Sequence, residues 1–475
     1  MNKIKELSKT KKLIINICIV LFFEIFMCIL TPIISIYIKP ITLLLILFIL
    51  IISAIKNKQK KLNSTNITNI IIIIGILLRT MYIIYTPITV RQHDVDYFNY
   101  EGHLSYINTI YKTSKLPSTN SGQYYHPPLH HIISATFLHA NDLLLNLPFE
   151  EAVEGLQIIT LLFSSLTLFI ISQILSRIKI KDKYKHLVNI FFAINPTMII
   201  LSGSINNDCL EYFFQFTILL YLLKYYEKPS IKNSLILGIL TGLCMLTKFN
   251  GIIMFGPITL LFLYKLYKEK NIKETGINYS IVLLISLVLG LSYQIRNYTL
   301  FGLNSVPYPS DYLSVEEFTI FERMIIPSIT SVFDKIFCNI PGDYNIFAYI
   351  VKCSIFGEYT YNISNIFYYL YVIINLYLII FSTILLIKNI KNVFKDKINL
   401  LLMSNYIITM SAFYYFNYKY PYICTMDFRY IVPTLLTGIV VLVTESNKDN
   451  KITKYLIDIP LILFIVLSII FLFII

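Results

Sequence analysis

Long apolar runs separated by short polar loops occupy most of the chain, near 13–38, 41–55, 67–86, 153–176, 186–203, 209–226, 233–247, 251–268, 277–296, 366–387, 398–416, 430–444 and 455–475. A bilayer core about 30 Å thick is crossed by roughly 20 such residues in a helix. The pattern predicts an all-α polytopic membrane protein with about 13 transmembrane helices. The first run follows MNKIKELSKTKK and is soon joined by a second, so it reads as a retained span rather than a cleaved leader.

Two stretches break the pattern, 87–152 and 297–365. Within the first, Tyr97, Tyr100, Leu104, Ile107 and Tyr111 recur at helical steps. They predict a helix with Asp96, Asn99 and His103 on another face and Asp94 at or just before its start. Residues 128–147 are apolar yet carry His130, His131, Ser134, His139, Asn141 and Asp142. Burying those groups in lipid without partners is costly, so the segment is expected to lie on the membrane surface as an amphipathic helix. Pro127 and Pro128 suit the entrance to that helix, with His126 just before it.

Charge then fixes an expected orientation. The formal net charge is +13, which in a soluble protein would point to nucleic acid. Here the cations gather in loops. With the N-terminus in the cytoplasm, the groups Lys56–Lys61, Arg177–Lys185, Lys224–Lys232, Lys268–Lys273 and Lys388–Lys397 all fall on that side. Segments 87–152 and 297–365 are then extracytoplasmic. No glycine-rich phosphate loop is present, which argues against a nucleotide-driven pump. Cys18, Cys28, Cys209 and Cys244 lie in apolar runs and read as packing residues. Cys338, Cys353 and Cys424 lie outside the cytoplasm, and a Cys338–Cys353 bridge is one pairing the sequence leaves open. Glu24 and Arg79 sit inside apolar runs and need interior partners or snorkelling; Arg79 is near enough to the outer end for the latter.

The candidate chemistry concentrates in 87–152, which holds six of the seven histidines (His93, His103, His126, His130, His131 and His139) together with Asp94 and Asp96. Asp94 reads equally as a helix N-cap and as a general base. No HExxH-type spacing marks a histidine metal site. Lys248, Arg296 and Arg429 are cations at outer span ends. Each alone is explained by snorkelling, whereas several converging on Asp94 would form a site for a phosphate leaving group.

The Asp-containing motif RQHDVD followed by HPPL resembles the GT-C membrane glycosyltransferases, above all the protein O-mannosyltransferases and the aminoarabinose transferases of lipid A. The likeness continues in INPTMIILSGSINNDCLEYFF (194–214), GILTGLCMLTKFNG (238–251) and DFRYIVP (427–433). It implies a GT-C fold and inverting transfer of a sugar from a polyprenyl-phosphate donor to an acceptor hydroxyl outside the cytoplasm, as in a bacterial cytoplasmic membrane. The resemblance places the family's loop acid at Asp94, with Lys248, Arg429 and His126 toward the donor phosphate. Arg296 joins them from topology. His93, Asp96, His103, Asn207, Asp208 and Asp427 are the candidates for sugar or acceptor contacts, although Asn206, Asn207 and Asp208 also read as turn formers. Many relatives have Asp-Glu where this chain has Asp94-Val95, so a second carboxylate comes from Asp96 or is absent, and a divalent metal is left open.

The implied organisation is a two-span extension (1–62), a catalytic core (63–296), an outer loop (297–365) and a C-terminal transmembrane region (366–475). A lipid-linked sugar flippase or transporter, a polysaccharide polymerase or ligase, and a noncatalytic scaffold are the alternatives. The scarcity of charge within the spans disfavours transport, and the early Asp94–HPPL order disfavours the polymerase.

Overall fold

A computed structural model of the protein describes residues 35–95, 101–302, 313–325, 332–335, 343–448 and 450–475. Among these residues the regular elements are all helical, with a single isolated bridge between Ser314 and Tyr422. The run at 13–38 lies almost wholly outside them, as do Glu24 and Cys338; every other apolar run of the sequence is helical.

The helices relevant here are α1 (Ile38–Lys58), α2 (Ser64–Tyr85), α3 (His103–Thr113), α4 (Leu129–Leu144), α5 (Phe149–Glu154), α6 (Gln157–Leu175), α7 (Asp182–Ile194), α8 (Pro196–Ser202), α9 (Asp208–Glu227), α10 (Ile231–Thr247), α11 (Phe255–Glu269), α12 (Ile272–Gly290) and α13 (Ser292–Phe301). After them come α14 (Ile320–Met324), α15 (Ile346–Phe356), α16 (Asn365–Asn389), α17 (Lys397–Lys419), α18 (Thr434–Ser446) and α19 (Lys451–Ile474). Among the described residues, seven helices are long and apolar enough to span a bilayer, or nine if each of two bent pairs is one span. This is fewer than the run count: the run at 13–38 lies almost wholly outside the described residues, α10 is short, and α9 and α17 are not among these spans. The protein is a multi-pass membrane protein. Isoleucine and leucine side chains on α1, α12, α16 and α19 face outward, as expected where the surroundings are lipid.

Arg79 explains how the bend is held. It is fully buried, so interior partners replace the expected snorkelling. Its guanidinium donates to Ser164 Oγ (2.8 Å) and to the carbonyls of Gly75 (3.0 Å), Ala193 (2.8 Å) and Phe192 (3.1 Å). Pro196 has no N–H to offer the Phe192 carbonyl, and Arg79 supplies one instead. Asn195 then caps α8 by accepting from Met198 N at 3.1 Å. The bend delivers the Gly203–Asn207 turn to the end of the bundle where α3 and α4 pack.

The helix expected within 128–147 is α4, but its His130, His131, Ser134 and Asn141 are buried against the protein while Leu143 and Leu144 are exposed. The helix expected to begin at Asp94 begins instead at His103, with Gly102 at its N-cap. Asp94 is therefore not the N-cap of that helix. Its φ is +52°, and Arg91 nearby has φ +55°, a left-handed conformation that Asp tolerates better than most residues. Asp96, Tyr97, Asn99 and Tyr100 lie outside the described residues.

Candidate active site

Gln92 brings the two halves of the site together. Its side chain donates to Gly203 O (2.9 Å) and accepts from Ile205 N (2.9 Å), latching the segment before Asp94 onto the turn before Asp208. Gln157 donates to the same Gly203 carbonyl (2.9 Å) and to Thr86 O (3.2 Å), closing the latch from α6. Asn206 Oδ1 accepts from Asp208 N (3.1 Å), and Asn207 donates to Thr247 O (3.0 Å). These asparagines are turn and tether residues that place Asp208 beside the residue following α10, Lys248.

Around this frame runs a continuous chain of charges. Lys248 Nζ lies 2.5 Å from Asp208 and 3.8 Å from Glu211, with its cation 4.7 Å from the Tyr430 ring centre. Arg429 reaches Asp94 at 3.3 Å, Asp427 at 3.5 Å and Asp208 at 3.7 Å. His93 Nδ1 meets Glu358 at 2.5 Å. Most of these groups are buried. The Asp94 side chain is the exception at 45% exposed, against 1% for Asp208 and 2% for Asp427. Asp94 is thus the open carboxylate of a closed network.

Burial pulls His93 toward its neutral form, but the Glu358 carboxylate outweighs this and raises its pKa; His93 in turn holds Glu358 below its usual range despite burial. His93, Glu358 and Asp427 each offer one ligand atom, and these atoms lie within 4.8 Å of one another. Asp427 Oδ2 is buried without a hydrogen bond. One imidazole with two carboxylates is a donor set that fits Mn²⁺ or Zn²⁺. Even without Glu211, the four carboxylates Asp94, Asp208, Glu358 and Asp427 outnumber the cations Lys248, Arg429 and His93, a surplus of negative charge that a divalent ion would also offset.

Four further histidines, His103, His126, His130 and His131, form a separate stack behind this network. His103 Nδ1 and His131 Nε2 are 2.9 Å apart, and His131 stacks on Tyr106 at 4.0 Å between ring centres. His126 stacks on His103 at 5.5 Å and lies 4.1 Å from the Tyr125 ring. Burial lowers the pKa of His103, His126 and His131 well below the ordinary value and that of His130 to about 4. The stack is a neutral aromatic core rather than a charged surface. The turn leading into it needs Gly122, at φ +55°, where a Cβ would come within 2.2 Å of Glu101 O.

The structure therefore brings together His93, Asp94, Asp208, Lys248, Asp427 and Arg429. It leaves Arg296 out: this guanidinium donates to Pro117 O (2.6 Å) and Asn297 (3.0 Å), tying α13 to the segment before the HPPL turn. His103 packs inside the stack rather than facing the network, and Asp96 is not described. Sequence reasoning missed Gln92, Glu211 and Glu358 as site residues. Glu211 had a readable signal, standing three residues after Asp208 on one helix face; Glu358, from the loop after α15, had none.

No curated protein matches the chain significantly. Among solved structures, the apo oligosaccharyltransferase of Archaeoglobus fulgidus gives a TM-score of 0.50 at 14% identity, covering 84% of this chain and 56% of its own. The same organism's AglB with an inhibitory peptide and dolichol-phosphate gives 0.49 at 12%, covering 86% and 55%. Apo ArnT from Cupriavidus metallidurans gives 0.44 at 11%, covering 72% and 54%. The chain spans little more than half the length of these proteins. The architecture is the GT-C fold of membrane glycosyltransferases. Within it, residues 149–293, from α5 to α13, match the family model described as dolichyl-phosphate-mannose-protein mannosyltransferase.

Proposed function

We propose that the protein is a glycosyltransferase that moves a sugar from a polyprenyl-phosphate donor to an acceptor hydroxyl on the extracytoplasmic face of a bacterial cytoplasmic membrane. The observation that carries this reading is the exposed Asp94 carboxylate held 3.3 Å from a buried Arg429. The match of 149–293 to a family named for a lipid-phosphate sugar donor supports the donor class. The charge distribution of the loops supports the face.

In the proposed step the acceptor oxygen forms a bond to the anomeric carbon while the bond from that carbon to the donor phosphate breaks. The acceptor proton passes to Asp94, and direct displacement inverts the anomeric centre. The departing polyprenyl phosphate gains negative charge, which Lys248 and Arg429 are placed to stabilise without reorganising. A divalent ion at His93, Glu358 and Asp427 would supply further electrostatic stabilisation. The acceptor is a hydroxyl of a glycan, lipid or protein.

The test is transfer of radiolabelled sugar in membranes from a panel of polyprenyl-phosphate sugars. Asn is also at home with φ above zero, so Asp94→Asn retains the fold, and it is expected to reduce transfer by about 10²–10⁴-fold. Equal transfer by both proteins would remove Asp94 from the chemistry.

A further inference from the structure

Far from the Asp94 network, a groove with a cavity of about 500 Å³ lies between α1 and α2. Its lining changes character along its length. Phe48, Ile49 and Ile52 on α1 and Ile70 on α2 give an apolar floor, and Lys56, Lys61, Asn66 and Asn69 close one end. Phe48 and Lys56 stand eight positions apart on one helix, about 12 Å along its axis. The groove therefore grades from hydrocarbon to cation over the depth of an acyl chain's upper portion.

A second observation concerns charge balance. Between Glu24 and Asp94 the sequence contains no acidic residue, although it holds Lys56, Lys58, Lys60 and Lys61. Other basic loops are neutralised internally: Lys185 pairs with Asp182 at 3.5 Å, Lys397 and Arg177 with Glu227 at 3.4 and 3.5 Å, and Lys388 with Glu445 at 3.5 Å. The side chains of Lys56, Lys61, Asn66 and Asn69 make no hydrogen bond or ion pair among the described residues. Two cations and two amides thus converge on a greasy groove with no anion supplied by the described residues.

We infer that the α1–α2 groove is a binding site for an anionic phospholipid, its acyl chain along Phe48, Ile49 and Ile52 and its phosphate between Lys56 and Lys61. Lysine suits a phosphodiester as a point charge, and the asparagine amides supply further donors. The site gives the helix preceding the mannosyltransferase-like segment a role independent of sugar transfer. It fastens α1, only 11% of whose most apolar window is buried in the protein, to the rest of the bundle through a shared lipid.

The test is native mass spectrometry of the full chain released from nanodiscs containing phosphatidylglycerol and phosphatidylcholine. Wild type is expected to retain phosphatidylglycerol selectively. Lys56→Gln with Lys61→Gln should weaken that retention at least tenfold and leave phosphatidylcholine unchanged, while Lys228→Gln with Lys232→Gln, in another basic loop, should leave both unchanged. Ile49→Trp fills the floor without touching the lysines and should also expel the lipid. Equal losses in the two lysine pairs would reduce the effect to general interfacial attraction and overturn the site. So would preferential retention of undecaprenyl phosphate, or a photo-crosslinker at Ile70 that captures residues 1–34 instead of lipid. Circular dichroism of each variant confirms that the helices persist.

Discussion

Arg429 Nη2 donates to Asp94 Oδ2 at 3.3 Å, a contact between residues separated by 335 positions of sequence. The same guanidinium faces Asp208 and Asp427. Removing it would leave Asp208 with Lys248 alone and take from buried Asp427 its nearest cation, and an unpaired buried charge is among the most destabilising features a protein can carry. Arg429→Ala is expected to cost about 3–5 kcal/mol, read as a lower midpoint for thermal loss of helicity in detergent. Arg429→Lys keeps the charge but not the fork, and should recover part of the stability.

Gly122→Ala tests the turn before the HPPL helix. The added methyl would collide with the Glu101 carbonyl, and the backbone there is left-handed. A loss of about 1–3 kcal/mol is expected, again as a lowered unfolding midpoint, whereas Gly276→Ala on α12, where a Cβ meets nothing within 4 Å, should be close to neutral or stabilising.

The histidine stack makes stability depend on pH. Each of His103, His126, His130 and His131 has a pKa lowered by burial, His130 to about 4. Lys248 and Arg429 push His126 the same way, and only Asp208 opposes the shift at His130. The unfolded chain, with histidines near the ordinary value of about 6.5, then binds more protons than the folded one at mildly acidic pH. Stability from the stack is fully present above about pH 6.5 and is lost as pH falls toward 4. The chain has no tryptophan, so circular dichroism across that range is the suitable measurement.

Much of this arrangement was legible in the sequence. The helices were, because apolar periodicity is a local property and each run reports its own burial. Asp94, Lys248 and Arg429 stood out as charges at the ends of apolar runs. The start of α3 was misplaced because an Asp before a periodic segment looks like a cap, and only the backbone shows it turned left-handed nine residues early. Arg296 looked equivalent to Lys248 in spacing, yet its partner, the Pro117 carbonyl, is invisible in any one-dimensional pattern. Gln92 and Glu358 act through contacts with residues more than a hundred positions away, which leave no trace in the neighbourhood of either.

Metal dependence can be examined at His93. A ligand imidazole must give up the proton it holds against Glu358, so binding should strengthen as pH rises. Electron paramagnetic resonance of added Mn²⁺ is expected to show a bound ion in wild type, at least tenfold weaker binding in His93→Ala and Asp427→Ala, and release by EDTA. Unchanged binding in both variants would place any ion elsewhere.

The order in which the site's pieces leave the ribosome has a consequence for biogenesis. Asp94 and Asp208 are made early, whereas Arg429, which reaches both, follows more than two hundred residues after Asp208. Until then Asp208 has only Lys248 as its cation and Asp94 lacks Arg429, so the arrangement proposed for sugar transfer does not exist. A chain truncated before Arg429 would hold lipid-exposed helices but no working centre, so the proposed activity waits on a single late arginine.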